Sequence, residues 1–518
     1  MHKLRTALAT ESPIHDTPVG VIHPYWARKP LNIVEIIIQN LSSEGDLVID
    51  PFMGSGTTVF ASLKNHRRAI GSDLNPLSRL IVEGLLEIIS HPDSVLPEME
   101  SLLTEHAAVT LPWYHVDGKE YVERTRYRVV GDFAHGNFTL DPTETITKVM
   151  NGDKWGSRRA YPGAAHKPSK ISMSDYLEKP INFSEAKLRQ NSRIAIPEGA
   201  CLAHYFTEEN QASINVFLSL VDNSVLSRSC PSALKLLLSS ALPLLRLSDK
   251  KASSQWPYWR PKVDLTSRNP SIVLGEKLKQ IRALSVWAGD HYRHLSNQES
   301  MWQLLDVPAQ ELGKNLGGAK AQLVLTDPPY GDQVPYLEYS ALWTEILGLP
   351  SVDAALRHEI VKSDAKTRRL DTEEYYARLR SGFLSTASMV ADDGYLAWFY
   401  QDQDLRCWET IYYAAKEAGM EVLDVVPLPK QRRSLKTVTS PNTTLDGDLL
   451  CVFRRGSARI EGVKPPSSLA ELSQLVANDK GGYFDRYATL ISGCLKGTLM
   501  PIVATRYKSV KRALADMG

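Results

Sequence analysis

Asp50-Pro51-Phe52-Met53-Gly54-Ser55-Gly56-Thr57-Thr58 follows a short apolar run, Asp46 to Ile49, and opens a helical pattern from Gly54 to Lys64. The run reads as a strand, and the glycines mark a tight turn between strand and helix. Glycines at such a turn let a ligand approach the backbone, and the helix behind them offers unpaired N–H groups. No Gly-Lys-Ser/Thr follows, which excludes a Walker-type phosphate loop, and the glycine spacing is not that of the dinucleotide fingerprint. Arg68 to Ser72 reads as a second strand ending at Asp73, within Gly71-Ser72-Asp73-Leu74-Asn75-Pro76. Pro76 then starts a second helix towards Ile89, where its missing N–H has no cost. Strand, helix, strand, helix predicts a parallel sheet.

An acid at the end of the second strand can bind both ribose hydroxyls of a nucleoside cofactor. Asp50, in front of the glycines, suits a cofactor that also bears an amino group, such as S-adenosylmethionine. A second constellation lies far downstream. Gln322 to Leu325 reads as a strand and is followed by Thr326-Asp327-Pro328-Pro329-Tyr330. Parallel α/β sheets place their chemistry at the carboxyl ends of strands. Two prolines stiffen this loop and remove two N–H donors, leaving carbonyls and the Asp327 carboxylate as acceptors. Acceptors beside an aromatic ring suit a planar base with an exocyclic amine, its hydrogens on Asp327 and a proline carbonyl, its ring on Tyr330.

Between these sites the pattern changes. Residues 95 to 200 are polar, with one alternating stretch, Tyr121 to Val130, that predicts a hairpin strand. Ten Lys or Arg against four Asp or Glu lie between Lys148 and Arg193, either a solvated loop or a nucleic-acid surface. Helical spacing returns from 207 to 283. The α/β pattern resumes with an expected strand at Leu284 to Trp287, a helix near Tyr339 to Leu347, a helix at Glu373 to Val390 and a strand at Gly394 to Tyr400. It closes with a helix at Leu405 to Ala418 and strands at Met420 to Val426 and Leu449 to Phe453. Residues 457–518 predict a small helical tail.

Composition narrows the class. The chain has 518 residues, too many for one ordinary core, and 60 Lys plus Arg against 59 Asp plus Glu give a formal charge of +1. Any nucleic-acid surface must therefore be a local patch. Besides the basic stretch above, Arg357 to Arg369 and Lys430 to Lys436 are candidates, as is the aromatic Trp256-Pro257-Tyr258-Trp259. No apolar run has the length of a membrane span or secretory signal, so a cytoplasmic protein with no membrane partner is expected. The five cysteines, Cys201, Cys230, Cys407, Cys451 and Cys494, form no CxxC pair, so neither a disulfide framework nor a metal site is expected.

The two constellations resemble motifs I and IV of the amino-directed DNA methyltransferases, which methylate exocyclic nitrogens of adenine or cytosine. His23-Pro24-Tyr25-Trp26-Ala27-Arg28-Lys29-Pro30-Leu31 resembles their motif X, most closely that of large bacterial adenine-specific methylases opening Trp-Trp-Ala-Arg-Arg-Pro-Leu. Asp73 in Ser-Asp-Leu-Asn-Pro matches motif II, and Ala288-Gly289-Asp290 is similar to motif III. The stretch Asp327 to Trp343 (DPPYGDQVPYLEYSALW) resembles the same subgroup.

The resemblance implies a class I, Rossmann-like fold: a mostly parallel seven-stranded sheet, a long mixed insertion and a helical tail. It divides the chain into 1–95, 96–283 (an insertion for target recognition), 284–456 and 457–518. It implies S-adenosylmethionine held by Lys29, Pro30, Asp50, Phe52, Gly54, Ser55, Gly56, Thr57, Asp73 and Asp290, with Asp327, Pro328, Pro329 and Tyr330 catalytic. The implied partner is double-stranded DNA with its target base flipped, together with a restriction or defence system. Asp before Pro-Pro-Tyr favours N6-adenine as the target. N4-cytosine methylation, RNA base methylation and a non-catalytic DNA-binding module stay open.

Overall fold

Val48 and Ile49 are both buried, and the run Leu47-Val48-Ile49-Asp50 has the continuous apolar character of a strand covered on both faces. The structure, a computed structural model, describes residues 1–133, 135–151, 154–164, 173–186, 188, 194, 196–248, 262–295, 299–330, 334–362, 371–429, 445, 447–456 and 464–517. Its strands are β1 (Leu47–Asp50), β2 (Arg68–Ser72), β3 (His115–Asp117), β4 (Glu120–Asp132), β5 (Asn137–Asn151) and β6 (Lys154–Pro162), then β7 (Asp264–Arg268), β8 (Trp302–Leu305), β9 (Ala321–Thr326), β10 (Val390–Tyr400), β11 (Met420–Pro429) and β12 (Gly447–Arg455).

Seven of them form one sheet in the order β11-β12-β10-β9-β1-β2-β8. β8, β2, β1, β9 and β10 are mutually parallel, while β12 runs antiparallel to both β10 and β11. This large mixed sheet fits a methyltransferase fold. Alternate residues feed two cores. Val48, Leu323, Leu325 and Phe399 face one, with the helices Leu31–Leu41, Pro76–Ser90, Pro231–Leu245 and Pro270–His291. Ile49, Val324, Trp398 and Tyr400 face the other, with the helices Thr372–Ser388 and Leu405–Glu417 and the tail helices Leu469–Asn478, Tyr483–Lys496, Met500–Tyr507 and Val510–Met517.

The remaining strands form an antiparallel sheet, β3-β4-β5-β6, with β7 pairing β4 beyond β3, on the edge away from β5. The expected strand at Tyr121 to Val130 is the centre of β4. Leu265, with Tyr127 and Val129 packed against the same cluster, joins this sheet to the first core.

The insertion is also bonded into the parallel sheet's helices. Glu83 accepts from Ser232 Oγ (2.7 Å) and Glu87 from Ala233 N (2.5 Å), so two carboxylates of Pro76–Ser90 sit at the N-terminus of Pro231–Leu245. That is where backbone donors lack partners and the helix dipole favours negative charge. A side chain at Gly84 would lie 2.6 Å from Ser232 O, so glycine sets the close approach of the two helices. Further along, Ser239 bonds His23 Nε2 through its hydroxyl (2.7 Å) and Trp343 Nε1 through its carbonyl (2.8 Å).

A different latch secures the N-terminal helix His2–Thr10. Arg5 donates to both oxygens of Asp424 on β11 (3.1 and 2.6 Å), and Lys496 of the tail donates to the same carboxylate (2.7 Å). Burial alone would raise the Asp424 pKa, but the two cations outweigh it and hold it below the usual range.

Two expected elements are corrected. Leu284 to Trp287 is not a strand but part of the helix Pro270–His291, where Leu274, Leu278, Ile281, Leu284 and Ala288 recur at helical spacing. The expected division at 283/284 falls inside that helix. The strand beside β2 is β8, which the apolar pattern did not reveal. The expected helix near Tyr339 to Leu347 is two short helices, Tyr336–Tyr339 and Ala341–Ile346, meeting at Ser340. Trp256–Trp259, Lys430–Lys436, Arg357–Arg369 beyond Lys362 and much of the basic stretch 148–193 lie outside the described residues. No helix among the described residues is long and apolar enough to cross a membrane.

Burial pushes the Glu87 carboxyl up to about 8, partly offset by its bond to Ala233 N. A carboxyl that binds its proton more tightly when folded removes stability as pH rises from its unfolded value through about 8. From about pH 5 to about pH 9, Glu87→Gln should therefore show a shallower fall in melting temperature than the unsubstituted chain. Parallel curves would mean that Glu87 ionises as freely in the folded protein as in the unfolded one.

Candidate active site

Because β1, β2, β9 and β10 are parallel, the residues that follow them emerge along one edge of the sheet. The glycine turn after β1 is built by three bonds. Met53 N donates to Ser72 O (2.9 Å), Gly56 N to Met53 O (2.8 Å) and Gly54 N to Asp73 Oδ2 (2.7 Å). Asp73 Oδ1 also accepts from Asn75 N (2.8 Å). Asp73 thus ties the turn to the end of β2 and lines the cavity. Its burial pushes the pKa up to about 6.

Asp50 is buried and accepts from Phe52 N (3.0 Å) and Thr326 Oγ1 (2.7 Å). Burial outweighs these bonds and pushes its pKa up to about 7. A carboxyl poised there is completed by a cationic group such as an amine.

The Asp327 loop meets the sequence 27–30 from the opposite side. Lys29 Nζ lies 3.0 Å from Asp327 Oδ2, 2.9 Å from Asp448 Oδ2 and 3.0 Å from the Tyr330 hydroxyl. Burial disfavours the Lys29 charge, but Asp327 and Asp448 outweigh it, so its pKa is raised and the ammonium persists at neutral pH. Burial raises Asp327, opposed by Lys29 and reinforced by Asp448. Tyr330 donates its hydroxyl to Asp327 Oδ1.

Tyr330 departs from the exposed platform expected of it. Its ring is buried, edge-on to Tyr400 at 5.5 Å, with Lys29 5.4 Å from its centre.

Two cavities meet here. The first, about 880 Å³ including space open to solvent, is lined by Lys29, Asp50, Phe52, Gly54, Ser55, Thr57, Asp73, Asp327 and Pro329, with Tyr25 and Tyr336. The second, about 1900 Å³ on the same basis, is lined by Lys29, Pro30, Asp327, Pro328, Tyr330, Gln401 and Asp448, with Leu8 of the N-terminal helix in its wall. Lys29, Asp327, Tyr336 and Phe399 border both. Most of the expected site residues are therefore brought together.

Two expected cofactor residues are not. Gly56 lies behind the turn, where a side chain would come within 2.6 Å of Val82, so its absence of a Cβ serves packing. Asp290 sits exposed near the end of the helix Pro270–His291. The acid that follows the strand beside β2 is Asp306, paired with Arg79 at 2.8 Å. Sequence reasoning missed it because the short β8 was hidden, and missed Asp448, whose proximity depends on antiparallel pairing. Among the described residues no group of three or more His, Cys, Asp or Glu is arranged to hold a metal ion.

Gly56 has φ +80, a conformation costly to other residues, besides its contact with Val82. Gly56→Ala should lower stability by about 1–3 kcal/mol in urea unfolding. An unchanged midpoint would show that the turn relaxes freely.

A family model described as DNA methylase matches residues 9–81, the region of the glycine turn and Asp73. The chain is 22% identical over 357 residues to the type II methyltransferase M.MjaII of Methanocaldococcus jannaschii, covering 64% of this chain and 63% of that protein. It is 43% identical over 49 residues to the type II methyltransferase M.HindIII of Haemophilus influenzae, covering 10% of this chain and 16% of that one. With the type II methyltransferase M1.MboII of Moraxella bovis it shares 49% identity over 47 residues, covering 9% and 18%. The chain thus spans less than two thirds of the length of these relatives. Over these stretches the chain is thus similar to a DNA methylase family and to type II methyltransferases.

Proposed function

We propose that the chain is an S-adenosylmethionine-dependent DNA methyltransferase that modifies the exocyclic N6 amine of a flipped adenine. The observation that carries this proposal is the position of Asp327, in the wall shared by two adjoining cavities. An acceptor there can hold an amine presented from one chamber towards a group held in the other. A class I methyltransferase fold is part of the proposal, supported by five parallel strands and an antiparallel β12 beside β10.

The smaller cavity fits the cofactor by the chemistry of its donors. Asp50 offers a buried carboxylate for an amino group, Asp73 a carboxylate for ribose hydroxyls, and Phe52 an apolar wall. S-adenosylmethionine, when bound, supplies a methyl group activated by a sulfonium. In the larger cavity Asp327 accepts one amine hydrogen and the Pro328 carbonyl the other, which aims the nitrogen lone pair. Tyr330 and Lys29 each occupy one lone pair of an Asp327 oxygen, so two remain for the amine. Lys29 opposes the burial that raises the Asp327 pKa and so favours its charged form, and Asp448 shares the ammonium so that it does not bind Asp327 alone. The proton released from the methylated amine passes to Asp327 or to water. Positioning supplies most of the acceleration. Cytoplasmic location and a restriction or defence setting belong to the same proposal.

Incubating the protein with labelled cofactor and duplex DNA or tRNA, then identifying the methylated nucleoside, tests the target directly. N6-methyldeoxyadenosine from DNA is expected; N4-methyldeoxycytidine or modified tRNA would replace the adenine assignment. Asp327→Ala should lower transfer by roughly 10²–10⁴-fold while cofactor affinity by calorimetry changes little. Near-normal turnover would exclude this loop from the chemistry.

Asp50 gives a pH test. Below about 7 the carboxyl is protonated and loses its attraction for an amino group. Cofactor affinity should weaken as pH falls through that value, approaching about tenfold per pH unit, and Asp50→Asn should flatten the slope.

A further inference from the structure

Gln401 lies immediately after β10, on the sheet edge that carries Asp327. It is buried, with 5% of its surface exposed, and its Oε1 has no hydrogen-bond partner. It nevertheless lines the larger cavity. Pairing places Tyr400 opposite Leu449 on β12, so the next residue, Gln401, comes beside Asp448. On its other side the parallel pairing of Trp398 with Thr326 brings it beside the Asp327-Pro328 turn. The polar groups around it are already committed, since Lys29, Asp327, Tyr330 and Asp448 bond one another. Gln401 stands outside that network. A buried amide without a partner is unfavourable in the free protein, and a ligand in the cavity can complete it.

The chemistry of the cavity says which ligand. Asp327 offers acceptors to an amine but nothing to the ring that bears it. In adenine, as in cytosine, a ring nitrogen with a free lone pair lies beside the amine-bearing carbon. It needs a donor, and the donors of Lys29 and Tyr330 are taken. A half turn about the last side-chain bond exchanges the amide's oxygen and nitrogen, so Gln401 can present its NH2 group. Amides suit base edges that place an amine beside a ring nitrogen.

Resting on the methyl-transfer reading above, we propose that Gln401 is a specificity-determining residue. Its amide N–H donates to the ring nitrogen beside the amine of the target base. Asp327 then selects bases with an amine, and Gln401 selects those with an acceptor next to it. Together they discriminate against thymine and against the six-position edge of guanine, where a carbonyl stands beside a ring nitrogen that carries hydrogen.

The test uses the full chain and short duplexes whose target position, mapped beforehand on methylated plasmid DNA, holds adenine, 1-deazaadenine or 7-deazaadenine. If the mapped base is cytosine, 3-deazacytosine serves instead. Deleting the bonded ring nitrogen should lower kcat/KM roughly 5- to 150-fold for the unsubstituted protein. Gln401→Leu should bring the natural base down to the same level, with no further loss from the deaza base, while cofactor affinity and melting temperature stay as they were. If the base lacking the nitrogen beside the amine-bearing carbon (1-deazaadenine or 3-deazacytosine) is not impaired, if 7-deazaadenine, which keeps that nitrogen, is impaired as much, or if the whole deficit persists in Gln401→Leu, the proposal is overturned. Should that variant not fold, Gln401→Met, which keeps the length and removes the donor, takes its place. The analogue series on the unsubstituted protein can overturn the proposal by itself. Asp327→Ala, measured alongside, separates the two ideas. Absence of transfer to every DNA and RNA by the unsubstituted protein defeats the methyl-transfer reading, transfer that survives Asp327→Ala defeats the role given to that loop, and transfer lost there with no Gln401 effect defeats this inference alone.

Discussion

The 2.7 Å hydrogen bond from Thr326 to Asp50 joins the ends of β1 and β9, and the rest of the site is arranged about it. It sets the glycine turn against the Asp327 loop, because each begins one residue beyond the bond. It depends in turn on strand register, Val48 beside Leu323 and Ile49 beside Val324. A slip of one residue would turn either side chain to the opposite face and separate the two loops. Two buried cores hold that register, one on each face of the sheet. Apolar packing fixes the positions of polar atoms that contribute little to stability themselves.

Most of the large sheet was legible because its elements carry local signals. β1 and β9 are short apolar runs, Pro76 marks a helix start, and Gly54 and Gly56 mark a turn. Both loops of the site were readable for the same reason: each is a run of residues with unusual backbone demands. What failed was the identification of a strand from too few residues. β8 has four residues, none of them buried, so its sequence carries no strong period. Leu284 to Trp287 looked like a strand only when cut out of a 22-residue helix.

The contacts that complete the site were illegible because they are non-local. Lys29 and Asp448 are brought within 2.9 Å by the antiparallel insertion of β12 beside β10. Neither residue type is unusual where it stands. Likewise, nothing in Pro231 to Leu245 announces that Glu83 and Glu87 complete its first turn. The segment between the two halves of the sheet accordingly shares their core, and a mutation in its helices is expected to be felt at His23 and Trp343 through Ser239.

The carboxylate of Asp424, held by Arg5 and Lys496 together, also sets an order of assembly. During synthesis the glycine turn and Asp73 emerge early and can fold against each other. The wall that includes Leu8 gains its second cationic support only after residue 496 has left the ribosome. The larger chamber is therefore among the last features to be secured.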